Sequence, residues 1–116
     1  MTITVVTPAD WQISAPEVAG RHSGMTINRE NPFFRLLEIE PDSYMGPHSH
    51  SEPEIILVLE GRMFFNGMWC GQGSVVYVPA NEDYWHTTGE ERCVVGLIRP
   101  QTSGVIHRAE EIAVAG

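Results

Sequence analysis

The sequence of 116 residues contains no lysine, and its basic side chains are seven arginines. Fifteen acidic residues give a formal net charge of −8. The chain therefore lacks the basic surface that binds nucleic-acid phosphates or anionic lipid. Long hydrophobic runs are also missing, since no apolar stretch approaches the roughly 18 residues of a membrane-spanning helix. These absences predict a protein with no nucleic-acid partner and no membrane anchor.

Cysteine is scarce as well. Cys70 and Cys93 are the only two in the chain and lie far apart in sequence, which is too few for a disulfide framework. The first residues carry no basic segment followed by an apolar one, so they do not read as a secretory signal. We therefore expect two reduced, buried thiols and a cytoplasmic location.

Helix-forming patterns are rare, and short apolar runs between turn signals take their place. The dipeptide Asn66-Gly67 is typical of a tight hairpin turn. The run at 54–59 is almost continuously apolar, which predicts a strand covered on both faces. Several short strands of this kind predict an all-β sandwich or small barrel. The predicted strands are 33–39, 54–59, 62–65, 73–78 and 92–98.

The length and the 42% hydrophobic content predict one domain with one core. The first 20 or so residues are expected to form an arm outside the barrel, with one short helical turn capped by Thr7 and opened by Pro8. A small open barrel has sheet faces and edges that need cover. We therefore predict a homodimer in which the arm contributes the cover, through Ile3, Val5, Val6 and Trp11.

The chemically informative stretch runs from Gly46 to Glu54. His48, His50 and Glu54 have even numbers, and residues two apart on an extended segment point to the same face. The two imidazoles can therefore converge on one ion, and the carboxylate can join them from the strand that follows. Such ligands suit Fe, Mn, Ni, Cu or Zn. Glu52 is a competing carboxylate, and an exposed histidine loop is the structural alternative.

A second segment starts with a glycine turn and an apolar strand and continues through Pro79 to His86. Together the two segments resemble the paired motifs of the cupin superfamily. The first motif has His-x-His, a Glu four residues on and a Gly seven further, which His48, His50, Glu54 and Gly61 match. The second motif has a Gly, a Pro six residues on and a final His, which Gly73, Pro79 and His86 match.

The sequence also departs from these motifs. Asp42 replaces a glycine expected before the first histidine, and Asn81 replaces one after Pro79. The final histidine comes seven residues after Pro79, where five is more usual, and Tyr84 occupies the usual position. Either the turn is two residues longer and His86 is the fourth ligand, or His86 lies off the site. Tyr84 is the minor alternative ligand, because a neutral tyrosine binds metals poorly.

The resemblance implies a double-stranded β-helix, the cupin or jelly-roll barrel, over residues 25–100. Residues 1–24 would form the N-terminal arm and residues 101–116 a C-terminal tail. It also implies one divalent transition metal per chain (Fe, Mn, Ni or Zn), held by His48, His50, Glu54 and His86. A metal-dependent enzyme acting on a small organic molecule is then expected, with dioxygenase chemistry first and isomerase, lyase or decarboxylase chemistry next. A non-catalytic sensor or binding protein is the alternative.

Other candidates for the site are weaker. Arg35 and Arg99 interrupt or end apolar strands, so each is either a solvated residue at the sheet edge or an interior partner of a substrate carboxylate or an internal Glu. Tyr77 and Trp85 flank the second motif and are expected to line the pocket, as is Phe65. No general acid or base stands out beyond three tyrosines, which are Tyr44, Tyr77 and Tyr84.

Overall fold

A computed structural model of the chain describes residues 3–11, 22–101 and 105–107. Near the start, a short 3-10 helix at Pro8–Asp10 follows Thr7, whose backbone N–H and hydroxyl both donate to the Asp10 carboxylate. The remaining elements are strands: β1 His22–Asn28, β2 Glu30–Ile39, β3 Tyr44–His50, β4 Glu54–Glu60, β5 Arg62–Phe65, β6 Met68–Gly71, β7 Val75–Val78, β8 Tyr84–Thr88, β9 Cys93–Gln101 and β10 Val105–His107.

The ten strands form two antiparallel sheets of five. The first sheet has the order β1-β2-β9-β4-β7, and the second has the order β10-β3-β8-β5-β6. Their facing sides enclose the core, so the all-β jelly-roll barrel expected from the sequence is confirmed. Strand β1 already begins at His22 and β10 lies beyond residue 100, so strands extend past both predicted limits of the barrel.

Most predicted strands are present, but the outer face of the first sheet is more open than expected. The run at 54–59 alternates between buried and partly exposed residues, and Ile55 is 37% exposed. Its neighbours Val75 and Tyr77, on the same outer face, are 65% and 64% exposed. The strand is therefore fully covered on its inner face alone. A homodimer stays a prediction, and size-exclusion chromatography against a 12.9 kDa monomer would test it.

The backbone conformation of the turns explains which residue types occupy them. Asn66 and Gly67 both have positive φ and close the predicted two-residue hairpin between β5 and β6. Gly61 has φ +73°, and a Cβ there would overlap the carbonyl oxygen of Arg92. The two departures from the motif, Asp42 and Asn81, have φ values of 54° and 63°. Asp and Asn are the residues besides glycine that tolerate this region best, so the turns keep their shape.

In the part of the chain that the structure describes, no helix is long and apolar enough to cross a membrane. The two cysteines are both free thiols, as predicted, and Cys93 is completely buried while Cys70 is half-buried.

Candidate active site inside the barrel

Two histidines of β3 face the inside of the barrel. His48 and His50 are 3% and 6% exposed, and their rings meet edge to face with centroids 5.3 Å apart. Nδ1 of His48 donates to the carbonyl oxygen of Gly46 at 2.8 Å. Because a carbonyl can only accept, the neutral ring carries its proton on Nδ1 and leaves Nε2 as an acceptor. The predicted convergence of the two imidazoles on one face is what the structure shows.

Glu54 begins β4 and is 1% exposed. Oε1 of its carboxylate accepts from the Tyr84 hydroxyl at 2.6 Å. Oε2 accepts from Nε of Arg99 at 2.6 Å and lies 2.5 Å from Nη2 of the same guanidinium. A buried carboxylate is tolerated when it is paired and hydrogen-bonded in this way. Both oxygens of Glu54 are thus engaged by side chains of the protein.

Tyr84 starts β8 and pairs directly with His48 across the sheet. It is 5% exposed and its ring stacks on Phe65 with centroids 5.1 Å apart. Its hydroxyl lies 3.1 Å from Nε2 of His50. The hydroxyl proton is given to Glu54, so Nε2 of His50 is the donor if it bonds to the hydroxyl; in the other tautomer Nε2 accepts from Nη2 of Arg99 at 3.5 Å. Burial, and then the Glu54 charge, raise the pKa of Tyr84 well above its usual value, opposed by Arg99.

His86 follows two residues later on the same strand and also faces inward. It is 7% exposed, and it pairs with Met45 and Phe65 rather than with His48. Its ring centroid lies 6.2 Å from that of His48 and 6.3 Å from that of Tyr84. Strand β8 begins at Tyr84. Tyr84 occupies the place opposite His48, and His86 lies one inward position further along.

The four predicted metal ligands all lie inside the barrel, but they do not form an ion-binding set in this arrangement. Within residues 22–101, no three side chains of His, Cys, Asp or Glu come together so that they could hold a metal. Glu54 is held by Arg99 and Tyr84, and Nε2 of His50 lies 3.1 Å from the Tyr84 hydroxyl. A guanidinium at hydrogen-bond distance also repels a cation. Both oxygens of Glu54 are engaged by protein side chains in this arrangement, and the assignment of His48, His50, Glu54 and His86 as metal ligands stays a prediction.

Arg99 is an interior residue and not a solvated one. It is 8% exposed on β9, and its guanidinium lies 5.4 Å from the ring centroid of Phe33. This resolves the two interpretations of Arg99 in favour of pairing with an internal Glu. Sequence reasoning missed Phe33, although it shares parity with Arg35 on the same predicted strand and pairs with Arg99 across the sheet.

Arg35 also faces inward, because it pairs with Leu97, a core residue of β9. Its guanidinium lies against the backbone of Gly24 on β1, where a Cβ would overlap it. Burial, and then the positive charge of Arg99, lower the pKa of Arg35 below its usual value. Two of the seven arginines thus lie on the inner face of the first sheet.

The other predicted pocket residues divide between the two faces. Phe65 lies inside, against Tyr84 and His86. Tyr77 is 64% exposed and pairs with Ile55 on the outer face of the first sheet. Trp85 and Tyr44 contact each other on the outer face of the second sheet, with centroids 6.4 Å apart. The alternation of β8 places Tyr84 and His86 inside and therefore Trp85 outside. Tyr44, Tyr77 and Trp85 thus do not line the interior.

No protein-family model matches the chain, and no curated protein matches its sequence. Solved structures do match it. The polyketide cyclase RemF from Streptomyces resistomycificus superposes with a TM-score of 0.78 at 19% identity, over 95% of this chain and 89% of that one. A cupin-like protein from Thermotoga maritima gives 0.72 at 21% identity, over 90% and 95%.

A sugar phosphate isomerase of the cupin superfamily from Silicibacter pomeroyi gives a TM-score of 0.65 at 14% identity, over 76% of this chain and 66% of that one. Identities this low establish the fold and leave the activity to the site itself. The strand order, the motif turns and these structural neighbours agree with the resemblance found in the sequence. The chain has the cupin fold, in the form of one small barrel.

Proposed function

We propose that the protein is an enzyme that moves protons on a small organic molecule bound inside the barrel, as in an isomerisation, cyclisation or elimination. The observation that carries this proposal is the buried chain of hydrogen bonds from His50 through Tyr84 to Glu54 and Arg99. Buried polar networks cost stability unless every member is satisfied, and they are concentrated at functional sites.

The network assigns a role to each member. Tyr84 is the catalytic residue: its hydroxyl can give its proton to a carbonyl oxygen of the ligand while Nε2 of His48, an acceptor whose ring centroid lies 4.3 Å from that of Tyr84, takes the proton that leaves the neighbouring carbon. Glu54 orients the hydroxyl, and Arg99 holds Glu54 in place through two donors on one oxygen. Glu54 and Arg99 are therefore positioning residues. The names of two structural neighbours, a cyclase and an isomerase, agree with this class of reaction.

The experiment is exchange of carbon-bound hydrogen for deuterium in D2O, followed by NMR. Hydroxyacetone and 2-oxobutanoate are suitable probes, because each has exchangeable hydrogens next to a carbonyl. We expect exchange above the uncatalysed rate, and we expect Tyr84→Phe to lower it by about a hundredfold or more. Tyr44→Phe is the matched control, since Tyr44 lies on the outer face. Exchange that is equal in the protein and both variants would contradict the proposal.

A metal-dependent enzyme, with dioxygenase chemistry in first place, is the second candidate. It is favoured by the three buried imidazoles and by the bond from His48 to Gly46, which leaves Nε2 of His48 as an acceptor. When bound, Fe, Mn, Ni or Zn would supply Lewis-acid polarisation of a ligand oxygen. Metal analysis after incubation with each ion and removal of the excess tests this candidate. About one ion per chain would favour it over the proton-transfer proposal.

A non-catalytic binding protein is the remaining alternative. It would use the same network to recognise a ligand and release it unchanged. A compound that raises the melting temperature, binds reversibly and shows no exchange or conversion would favour this alternative. The same compound must lose its effect in Tyr84→Phe, because the network and not the outer surface would then be the binding site.

A further inference from the structure

Strand β7 forms one edge of the first sheet and exposes apolar side chains there. In the described part of the chain it pairs with β4 alone, in a regular register. Val75 and Tyr77 lie on its outer face and are largely exposed. Edge strands of soluble proteins are usually protected by a charge, a proline or a bulge. This strand contains none of them, and residues 63–81 carry no charged side chain. The edge is therefore open to pairing with another strand.

The hydrogen bonds between β7 and β4 show which backbone groups point away from the sheet. The N–H of Val58 donates to the carbonyl oxygen of Ser74 at 2.9 Å, and the same register continues into β7. Bonded and non-bonded pairs alternate along an antiparallel ladder, so the next bonded position on β7 is Val76. The backbone N–H and C=O groups of Val75 and Tyr77 are therefore directed away from β4, towards the open edge.

Two copies of β7 match each other about a two-fold axis between their Val76 residues. Val75 of each copy then lies opposite Tyr77 of the other, and each such pair exchanges both of its backbone hydrogen bonds. A slip of one residue would set inward side chains opposite outward ones. A slip of two residues would set Pro79, which has no N–H, opposite Val75. In the other direction it would use Gly73, whose N–H already donates to β4.

We propose that β7 is the docking edge for a second copy of this chain, in a two-fold dimer whose first sheets join edge to edge. Aromatic and β-branched side chains stabilise antiparallel pairs, so Val75 and Tyr77 of the two copies cover each other. Charge favours this contact as well. Each copy has a formal net charge of −8, and repulsion is smallest through a segment without charged side chains. The contact is the same on both copies, so it closes with two chains.

Analytical ultracentrifugation of the full chain tests the dimer. A contact between two short strands belongs to the weak class of interfaces, so chain concentrations from about 1 to about 300 µM are needed. We expect the mass to rise with concentration from 12.9 kDa towards twice that value. Val75→Glu places a charge on the edge, and we expect it to raise the dissociation constant by about tenfold or more. A mass that stays at 12.9 kDa over the whole range would overturn the proposal.

Val5→Glu is the matched control, because it makes the same substitution at an exposed apolar residue of the N-terminal segment. We expect this variant to dimerise like the unmodified protein. A dimer that Val5→Glu dissociates and Val75→Glu does not would overturn the proposal, because the N-terminal segment would then form the contact. Circular dichroism checks that both variants are folded, as expected for substitutions of exposed side chains.

Cysteine cross-linking tests the register without adding a charge. Val75→Cys and Tyr77→Cys are prepared separately with Cys70→Ser, which leaves the buried Cys93 as the other thiol. Opposite residues of a bonded pair have Cα atoms about 5.5 Å apart, within reach of a disulfide, whereas diagonal residues are roughly 7–8 Å apart. We expect oxidation of an equal mixture to give several-fold more linked dimer than either variant alone. A mixture that links no better than the separate variants would overturn this pairing of β7.

Discussion

The interior of the barrel has two chemically different ends, although the same strands build both. At one end the inward side chains are apolar and almost completely buried, and they are Ile39, Val58, Met63, Cys93 and Val95. At the other end they are polar and also buried, and they are His48, His50, Glu54, Tyr84 and Arg99. Strand β9 contributes to both, since it begins with Cys93 and carries Arg99 near its end.

The apolar end stabilises the barrel, and the polar end carries the groups that we expect to function. Each large side chain at the apolar end contributes roughly 1.5–3 kcal/mol by leaving water and needs no specific partner. At the polar end the groups lose their hydrogen bonds to water on burial, and each must replace them with hydrogen bonds to neighbouring groups. The polar end is therefore an arrangement that packing alone does not favour, which is why the site is expected there.

The largest expected effect is removal of a charge from the polar end. Arg99→Met leaves Glu54 buried without its counter-charge, and we expect the free energy of unfolding to fall by about 3–5 kcal/mol. Urea denaturation measures this change. Arg92→Met is the control: Arg92 forms ion pairs with Glu38 and Glu60 at the surface, and exposed pairs contribute about 0–1 kcal/mol. Equal losses for the two variants would show that the polar end is solvated.

The apolar end should lose stability for a different reason. Ile39 is fully buried, so Ile39→Ala removes transfer free energy and leaves a cavity, at a cost of about 2–4 kcal/mol. Urea denaturation again gives the value. Ile39 is a core residue outside the hydrogen-bonded network, so the variant should keep the deuterium exchange of hydroxyacetone at temperatures where it is folded. A variant that is fully folded yet has lost this exchange would contradict the separation of the two ends.

Much of this arrangement follows from sequence patterns. Which residue of β8 lies opposite His48 does not, because it depends on the pairing register of the strands. The spacing of His48, His50 and Glu54 placed all three on one inner face, because a strand alternates with period two. The same rule assigns Tyr84 and His86 to one face, but it does not say which of them lies opposite His48. That choice depends on where β8 begins after Pro79, a property of the turn and of pairing with β3.

The outer aromatic residues are a second case in which proximity in sequence did not predict proximity to the site. Trp85 and Tyr77 lie next to motif residues in the sequence, yet adjacent residues on a strand point to opposite faces. The interior position of Arg99 depended on a long-range partner, since Glu54 lies 45 residues away. Local composition favoured a solvated arginine at that position, and the tertiary ion pair with Glu54 overrides that preference.

The smallest expected effect is the difference in reactivity between the two thiols. Cys93, at the apolar end, is fully buried, and burial, followed by the charge of Glu91, raises its pKa from 9.0 to about 12. Cys70 is half-buried, and its thiol lies 3.6 Å from the carbonyl oxygen of Met68. At pH 8 only about one Cys93 side chain in ten thousand is then a thiolate, the form that reacts. We expect Ellman's reagent to label one thiol per folded chain, and Cys70→Ser to remove that signal.

The raised pKa also gives the sign of a pH effect on stability. The folded state holds Cys93 protonated while the unfolded chain ionises near pH 9, so the fold binds the proton more tightly. This contribution is complete below pH 9 and is lost as the pH rises towards 12. Cys93→Ala should therefore flatten the decline of urea midpoints between pH 9 and 10.5, relative to the unmodified protein. Rapid labelling of both thiols at pH 8, or an identical decline in the variant, would show that the apolar end is open to water.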